Sequence, residues 1–191
     1  MRIGNVSRKT KETEVDVKIN LDGSGIAKVN TSIKFLDHLL SSFAKHGCFD
    51  LTVKARGDLE HHIAEDVIIA LGGALDKALG TKAGIRRMGD VIVPMDDALV
   101  LVAVDLGGRV YAETDAKFAK KKLDDLSSDL IEHLLQTLAT NGKLNLHTQV
   151  LRGRNDHHKA EAIFKALGMA LAEAVRREPR RAGVPSTKGV I

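Results

Sequence analysis

The chain has 191 residues, a net charge of +4, 43% hydrophobic and 28% charged residues, proportions that exclude a disordered chain, a disulfide-stapled miniprotein and a membrane protein. Its longest apolar runs, such as Ala98 to Val104, fall far short of the roughly 20 residues needed to cross a bilayer, and Met1-Arg2-Ile3-Gly4 has no signal-peptide core, so a cytoplasmic location is expected. The charge surplus sits near the C-terminus, in Arg176, Arg177, Arg180, Arg181 and Lys188, which favours an anionic ligand. One Tyr and no Trp leave few stacking platforms for nucleic acid, so a phosphorylated small molecule is the expected partner. Cys48 has no disulfide partner and reads as core packing.

In chain order, the alternation Val15, Val17, Ile19, Leu21 predicts a strand entering a hairpin turn at Asp22-Gly23-Ser24-Gly25. A helix follows, with Ile33, Leu36, Leu39, Leu40 and Phe43 on one face. Phe49 to Val53 predicts another strand and Ala64 to Leu79 a second helix. After a Gly- and Arg-rich connection from Gly80 to Asp90 the series restarts. Leu99 to Leu106 is a strand closed by Gly107-Gly108. Leu126, Leu130, Leu134 and Leu138 mark a helix, Leu144 to Val150 a strand, and Ala160 to Arg176 the last helix. Glu178 to Ile191, with Pro185, Gly183 and Gly189, predicts a flexible tail or a loop that orders and closes on binding substrate.

The restart is a duplication. His38-Leu39-Leu40 recurs as His133-Leu134-Leu135, Gly47 as Gly142, Arg56-Gly57 as Arg152-Gly153, His61-His62 as His157-His158, Glu65 as Glu161, and Ala70-Leu71-Gly72 as Ala166-Leu167-Gly168. The predicted fold is α+β: one domain over 1–191 built of two repeats, about 1–84 and 85–178, with a tail over 179–191. Each repeat supplies an antiparallel sheet covered by helices on one face.

Six of the eight histidines occupy positions that the duplication pairs. Packing alone would not choose histidine three times over in both halves, because apolar residues pack at lower cost. On a helix, residues three or four apart share a face, so His62 with Glu65, and His158 with Glu161, can hold one ion. Adjacent residues point about 100° apart, so each His-His pair serves two ions. The expected ligand sets are His38, His62, Glu65 and His157 for one metal, and His61, His133, His158 and Glu161 for the other. Imidazole with carboxylate and no thiolate leaves manganese, iron or zinc, with manganese the best match to a mixed nitrogen and oxygen set. Three classes of function remain open on this reading: a metal-dependent enzyme acting on a phosphorylated substrate, a metal-stapled assembly protein, and a binuclear hydrolase.

The segments Phe35 to Leu40, Gly57 to Asp66, His157 to Ala162 and Pro185-Ser186-Thr187-Lys188-Gly189 closely resemble the imidazoleglycerol-phosphate dehydratase family, over nearly the whole chain from Arg8 to Gly189. The resemblance implies a duplicated fold like the second domain of ribosomal protein S5 and dehydration of imidazole glycerol phosphate to imidazole acetol phosphate in histidine biosynthesis. It also implies two manganese ions per active site and a homo-oligomer of about 24 subunits with metal sites at subunit interfaces. It implies catalytic roles for Glu12, Glu65, Glu161, His61 and His157, and substrate contacts by Glu12, His38, His46, Arg87, Arg109, Lys165, Ser186, Thr187 and Lys188. Neither nucleic acid nor membrane is expected as a partner. Ile63 and Ala64 stand where the family usually has Thr-Asn, and Ser42 where many relatives have Gln.

Overall fold

Val15, Val17 and Ile19 alternate with Asp16 and Lys18, so β2 (Thr13–Asn20) has one apolar and one charged face. In the computed structural model, which describes residues 1–191, the three apolar side chains are buried and the two charged ones exposed. The first repeat runs β1 (Ile3–Lys9), β2, β3 (Ala27–Asn30), α1 (Lys34–His46), β4 (Asp50–Gly57), α2 (Glu60–Leu79). The second runs β5 (Met88–Met95), β6 (Ala98–Asp105), β7 (Tyr111–Asp115), a small hairpin β8 (Lys122–Leu123) and β9 (Leu126–Ser127), α3 (Ser128–Gly142), β10 (Asn145–Arg152), α4 (Asp156–Val175). The duplication is therefore complete except for the β8–β9 hairpin. It occupies the link that in the first repeat is only Thr31 to Ile33, and it takes Leu126 out of the predicted helix.

The strand orders are β1-β2-β4-β3 and β5-β6-β10-β7. The expectation of purely antiparallel sheets needs correction: β3 runs parallel to β4 and β7 parallel to β10. A helix lies between the members of each parallel pair, and such a crossover returns the chain to the end it started from. For the same reason Asp22 to Gly25 is not a hairpin turn. It leads from β2 to β3, which are separated by β4, and the true hairpins are β1–β2 and β5–β6.

The covered faces of both sheets and the inner faces of all four helices merge into one core of 53 buried apolar residues, so the repeats are not separate domains. Burying side chains such as Leu36, Phe43, Phe49 and Leu71 contributes roughly 1.5–3 kcal/mol each. The helices pair across the repeats: α1 packs on α4, and α2 on α3. Two duplicated glycines permit these crossings. A β-carbon at Gly168 would collide with the Phe43 carbonyl of α1, and one at Gly72 would stand 2.7 Å from the β-carbon of Asn141 in α3. Ile63 and Ala64 lie in the core, so these departures from the family pattern leave no polar group unpaired there. Cys48 is exposed in the turn after α1 with φ +54°, contrary to its expected burial.

No helix is long and apolar enough to cross a membrane. Beyond α4 the tail has neither helix nor strand, but it is docked on the connection between the repeats. The Glu178 amide donates to Gly84 O at 2.9 Å, the Gly84 amide to Gly183 O at 2.9 Å, and Arg87 Nη1 to Pro185 O at 2.8 Å.

Candidate active site

Helices α2 and α4 begin at Glu60 and Asp156, so both His-His-x-x-Glu motifs occupy opening turns. Asn155 caps α4 by accepting from the His157 amide at 3.0 Å. In each motif the side chains that meet are four residues apart. His157 Nε2 lies 3.5 Å from Glu161 Oε2, and His61 Nε2 lies 3.8 Å from Glu65 Oε2.

The helix pairing adds a third side chain to each. On α1, His38 Nε2 is 3.1 Å from Glu161 Oε2, and the donor atoms of His38, His157 and Glu161 all lie within 4.8 Å of one another. On α3, His133 Nε2 is 3.2 Å from Glu65 Oε1, with the His61 and His133 rings stacked at 6.1 Å. Each cluster thus takes its single histidine from one repeat and its motif from the other. Within one chain the grouping differs from the predicted sets: His38 does stand with His157, and His61 with His133, but each pair meets the other glutamate, and His62 and His158 join neither cluster. Spacing allowed both three- and four-residue pairings; the crossing of α1 over α4 rather than α2 decides between them.

His62 and His158 are instead gripped by carboxylates. His62 Nδ1 is 2.9 Å from Asp58 and 3.7 Å from Glu12, and His158 Nδ1 is 2.7 Å from Asp97, with Asp96 3.5 Å from its Nε2. Glu12 belongs to the β1–β2 turn and Asp96-Asp97 to the β5–β6 turn, so the duplication again shows. The hydrogen bond from Asp58 raises the His62 pKa, and Asp58 itself is lowered by His62. The amides of Arg154 and Asn155, followed by His158, hold Asp97 far below the usual carboxylate range. Arg8 and Thr13 both bond to the buried Asp66 of α2, which ties the Glu12 turn to the motif helix. Asp124 Oδ2 lies 3.0 Å from His157 Nδ1. Sequence reasoning missed Asp58, Asp96, Asp97 and Asp124. Only Asp58, four residues before His62 on the approach to a helix, carried a readable signal.

Glu161 is the one ligand candidate that is well buried, its side chain 11% exposed. Burial pushes its pKa up, but hydrogen bonds from Lys165 at 2.8 Å and from His38 outweigh that, so it is lowered and stays ionised. Lys165 thereby joins the first cluster. His46, two turns beyond His38 on α1, has its pKa depressed by burial and by the Lys165 ammonium. The remaining phosphate candidates lie elsewhere. Arg87 is held by Asp105 at 2.6 and 2.9 Å, and with Arg181, Ser186 and Thr187 it lines a pocket of about 440 Å³. Arg109 and Lys188 are exposed. The Arg87 amide bonds to Ala174 O, near the far end of α4. Thirteen residues of helix separate that point from Glu161, about 20 Å at 1.5 Å per residue. One chain does not bring its Arg87 pocket to its own His38–His157–Glu161 cluster.

Two imidazoles and a carboxylate around a small open volume suit a divalent transition ion, and the exposure of His38 (47%) and His133 (44%) leaves coordination positions facing outward. The donor chemistry therefore fits a metal.

A family model described as imidazoleglycerol-phosphate dehydratase matches residues 31–171. The imidazoleglycerol-phosphate dehydratase of Chloroflexus aggregans is 58% identical over 194 residues, covering 100% of this chain and 95% of that protein. That of Dehalococcoides mccartyi strain 195 is 51% identical over 191 residues, covering 100% and 97%. Among solved structures, IGPD from Pyrococcus furiosus aligns with a TM-score of 0.85 at 39% identity over 97% of this chain and all of that one. The Staphylococcus aureus imidazoleglycerol-phosphate dehydratase gives 0.85 at 33% identity over 92% and 99%.

Proposed function

Because the chain belongs to the imidazoleglycerol-phosphate dehydratase family, and is thus a hydro-lyase of histidine biosynthesis, we propose that it dehydrates imidazole glycerol phosphate to imidazole acetol phosphate at sites holding two divalent ions, with manganese preferred. The observation that carries this reading is the convergence of His38, His157 and Glu161. They would hold one ion, and His61, His133 and Glu65 the second. A bound divalent cation supplies Lewis acidity to the substrate imidazole, so that the ring can take up electron density as the adjacent C–H bond breaks.

The chain's own residues do the rest. Glu12, on the β1–β2 turn beside His62, would move a proton at the substrate carbons. Lys165, four residues after Glu161 on the same face of α4, keeps that carboxylate charged and presents a cation beside the cluster. Arg87, Ser186 and Thr187, with Arg109 and Lys188 nearby in the tail and the β6–β7 turn, would take the phosphate.

The substrate measures about 8 Å from ring to phosphorus, given bond lengths near 1.5 Å, and cannot span the roughly 20 Å between the Arg87 pocket and the His38–His157–Glu161 cluster of one chain. That mismatch supports sites shared between copies, in which one subunit lends its phosphate pocket to the metal clusters of another. His62 and His158, next to the clusters in sequence but joined to neither, would supply the missing ligands to neighbours. The outer face of the second sheet also favours a homo-oligomer, of about 24 subunits, because Met88, Ile92, Tyr111 and Leu151 are 54%, 54%, 51% and 40% exposed on it. Its counterpart on the first sheet carries Asp16, Lys18, Lys28 and Lys54. The proposed setting is the cytoplasm, with neither nucleic acid nor membrane as partner.

The test is an assay of imidazole glycerol phosphate dehydration by purified protein, with metal analysis and light scattering before and after chelation. Loss of activity on chelation and recovery with manganese are expected. Undiminished turnover by verifiably metal-free protein would overturn the reading.

A further inference from the structure

The two histidine clusters are related by the duplication, yet only one of them is buttressed. The β8–β9 hairpin has no counterpart in the first repeat. Its two-residue tip, Asp124-Asp125, reaches the wall of a cavity of about 540 Å³ that also includes His38, His157 and Glu161. Asp125 caps α1 from outside: its carboxylate accepts from the Lys34 amide at 2.7 Å and the Phe35 amide at 2.9 Å, where Ile33 offers no side-chain cap. Asp124 accepts from His157 Nδ1 at 3.0 Å. The Phe35 ring, on the helix that Asp125 caps, packs on the His157 ring at 4.9 Å. One tip therefore fixes the start of α1, which carries His38, and the imidazole at the start of α4.

The hairpin is itself fixed. Leu123 and Leu126 are buried. Asp156 accepts from the Ala119 and Lys120 amides at 2.8 and 2.7 Å, and Lys159 donates to Lys117 O at 2.7 Å. Both residues of that Asp156–Lys159 pair are buried, so the segment leading into the hairpin is anchored to the turn that carries His157.

From this geometry, and resting on the metal-binding reading above, we propose that Asp124 is a positioning residue for His157 and makes the His38–His157–Glu161 cluster the tighter of the two metal sites. A carboxylate on Nδ1–H selects the tautomer whose Nε2 lone pair is free and orients the ring. Here Nε2 is the atom facing Glu161. In the other cluster the duplicated position is His61, which has no aspartate on Nδ1, because the Thr31–Ile33 link is too short to carry one. Its site must be ordered at the moment of binding, and affinity falls by that ordering.

The test is manganese titration of the chelator-stripped full-length protein, followed by the electron paramagnetic resonance signal of free Mn²⁺. Asp124 has φ +52°, a conformation that glycine adopts freely, so Asp124→Gly removes the carboxylate without backbone strain. Wild-type protein is expected to show two classes of site. Asp124→Gly should weaken the tighter class about 10–100-fold and leave the weaker class and the thermal midpoint of the metal-free protein unchanged. Asp124→Asn, which keeps an acceptor without the charge, should recover part of the loss, an outcome that a merely structural role would not give. If wild type shows two classes and Asp124→Gly leaves both unaltered, the positioning role is wrong while the metal reading stands. If wild type binds no manganese, the metal reading fails and this inference with it.

Discussion

The cluster of His38, His157 and Glu161 and the cluster of His61, His133 and Glu65 descend from one duplicated pattern, and they differ in three physical ways. In the first, the glutamate is 11% exposed and charge-paired with Lys165; in the second, it is 36% exposed and has no lysine partner. The first has its donor atoms gathered within 4.8 Å, whereas in the second the His61–Glu65 approach is the longer one. The first has an aspartate, Asp124, behind its histidine His157. Duplication thus reproduced the histidine and glutamate types, and later divergence of the surrounding residues set how tightly each cluster is organised.

The largest separation of the two clusters is expected from their glutamates. Glu161→Gln should lower manganese affinity at one site by about 100-fold or more, beyond the loss typical of residues behind the ligands. It should also destabilise the metal-free protein by about 1–3 kcal/mol, because Lys165 loses its charged partner in a mostly buried place. Glu65→Gln should remove the other site's affinity with little change in metal-free stability. Stepwise metal titration together with thermal unfolding of both apoproteins checks this. Identical behaviour of the two variants would erase the asymmetry.

A smaller effect comes from the crossings on which the clusters are built. Gly168→Ala sets a methyl group against the Phe43 carbonyl, so α1 must shift along α4. Overpacking of this kind costs about 1–3 kcal/mol, which in a chain of this size lowers the thermal midpoint by about 2–12 °C. The shift should reduce metal affinity at the His38 cluster and leave the His61 cluster intact. Gly72→Ala should do the converse.

Next is the tail. Removing Pro185 to Ile191 deletes Ser186, Thr187 and Lys188 and the carbonyl that receives Arg87 Nη1, while touching neither cluster. Turnover should fall and metal content should hold at both sites. Equal turnover at saturating substrate in the truncated protein would show that the phosphate is held without the tail.

The smallest effect concerns pH. Asp58 raises the His62 pKa above the ordinary histidine value of about 6.5, so the stabilisation it gives the metal-free protein is fully present below that value and is lost as pH rises through the raised pKa. Asp58→Asn should therefore lower the thermal midpoint slightly near pH 6 and leave it unchanged near pH 9, provided the protein is free of metal. A difference that grows with pH would reverse the assignment.

The sequence by itself determined the duplication, the paired histidine and glutamate positions, the four helices and the strands β2, β4, β6 and β10, because each is written in local spacing: alternate apolar residues for β2, a three-to-four repeat for α1, matched His-His-x-x-Glu motifs on α2 and α4; the strands β1, β3, β5 and β7 and the β8–β9 hairpin appear only in the structure. It determined the family as well, since the motifs around His38, His61, His157 and Ser186 are contiguous. Only the tertiary structure decided which glutamate stands beside which histidines. His-x-x-Glu and His-x-x-x-Glu lie on the same face of a helix, and nothing local says that α1 packs on α4. The parallel pairs β3–β4 and β7–β10 were hidden for a similar reason, since strand direction follows from where a crossover helix returns the chain. Asp97 and Asp124 were beyond sequence reasoning altogether. Each comes to its histidine from a separate turn, 61 and 33 residues away along the chain, and such a meeting is set by the packing of whole elements rather than by any local pattern of residues.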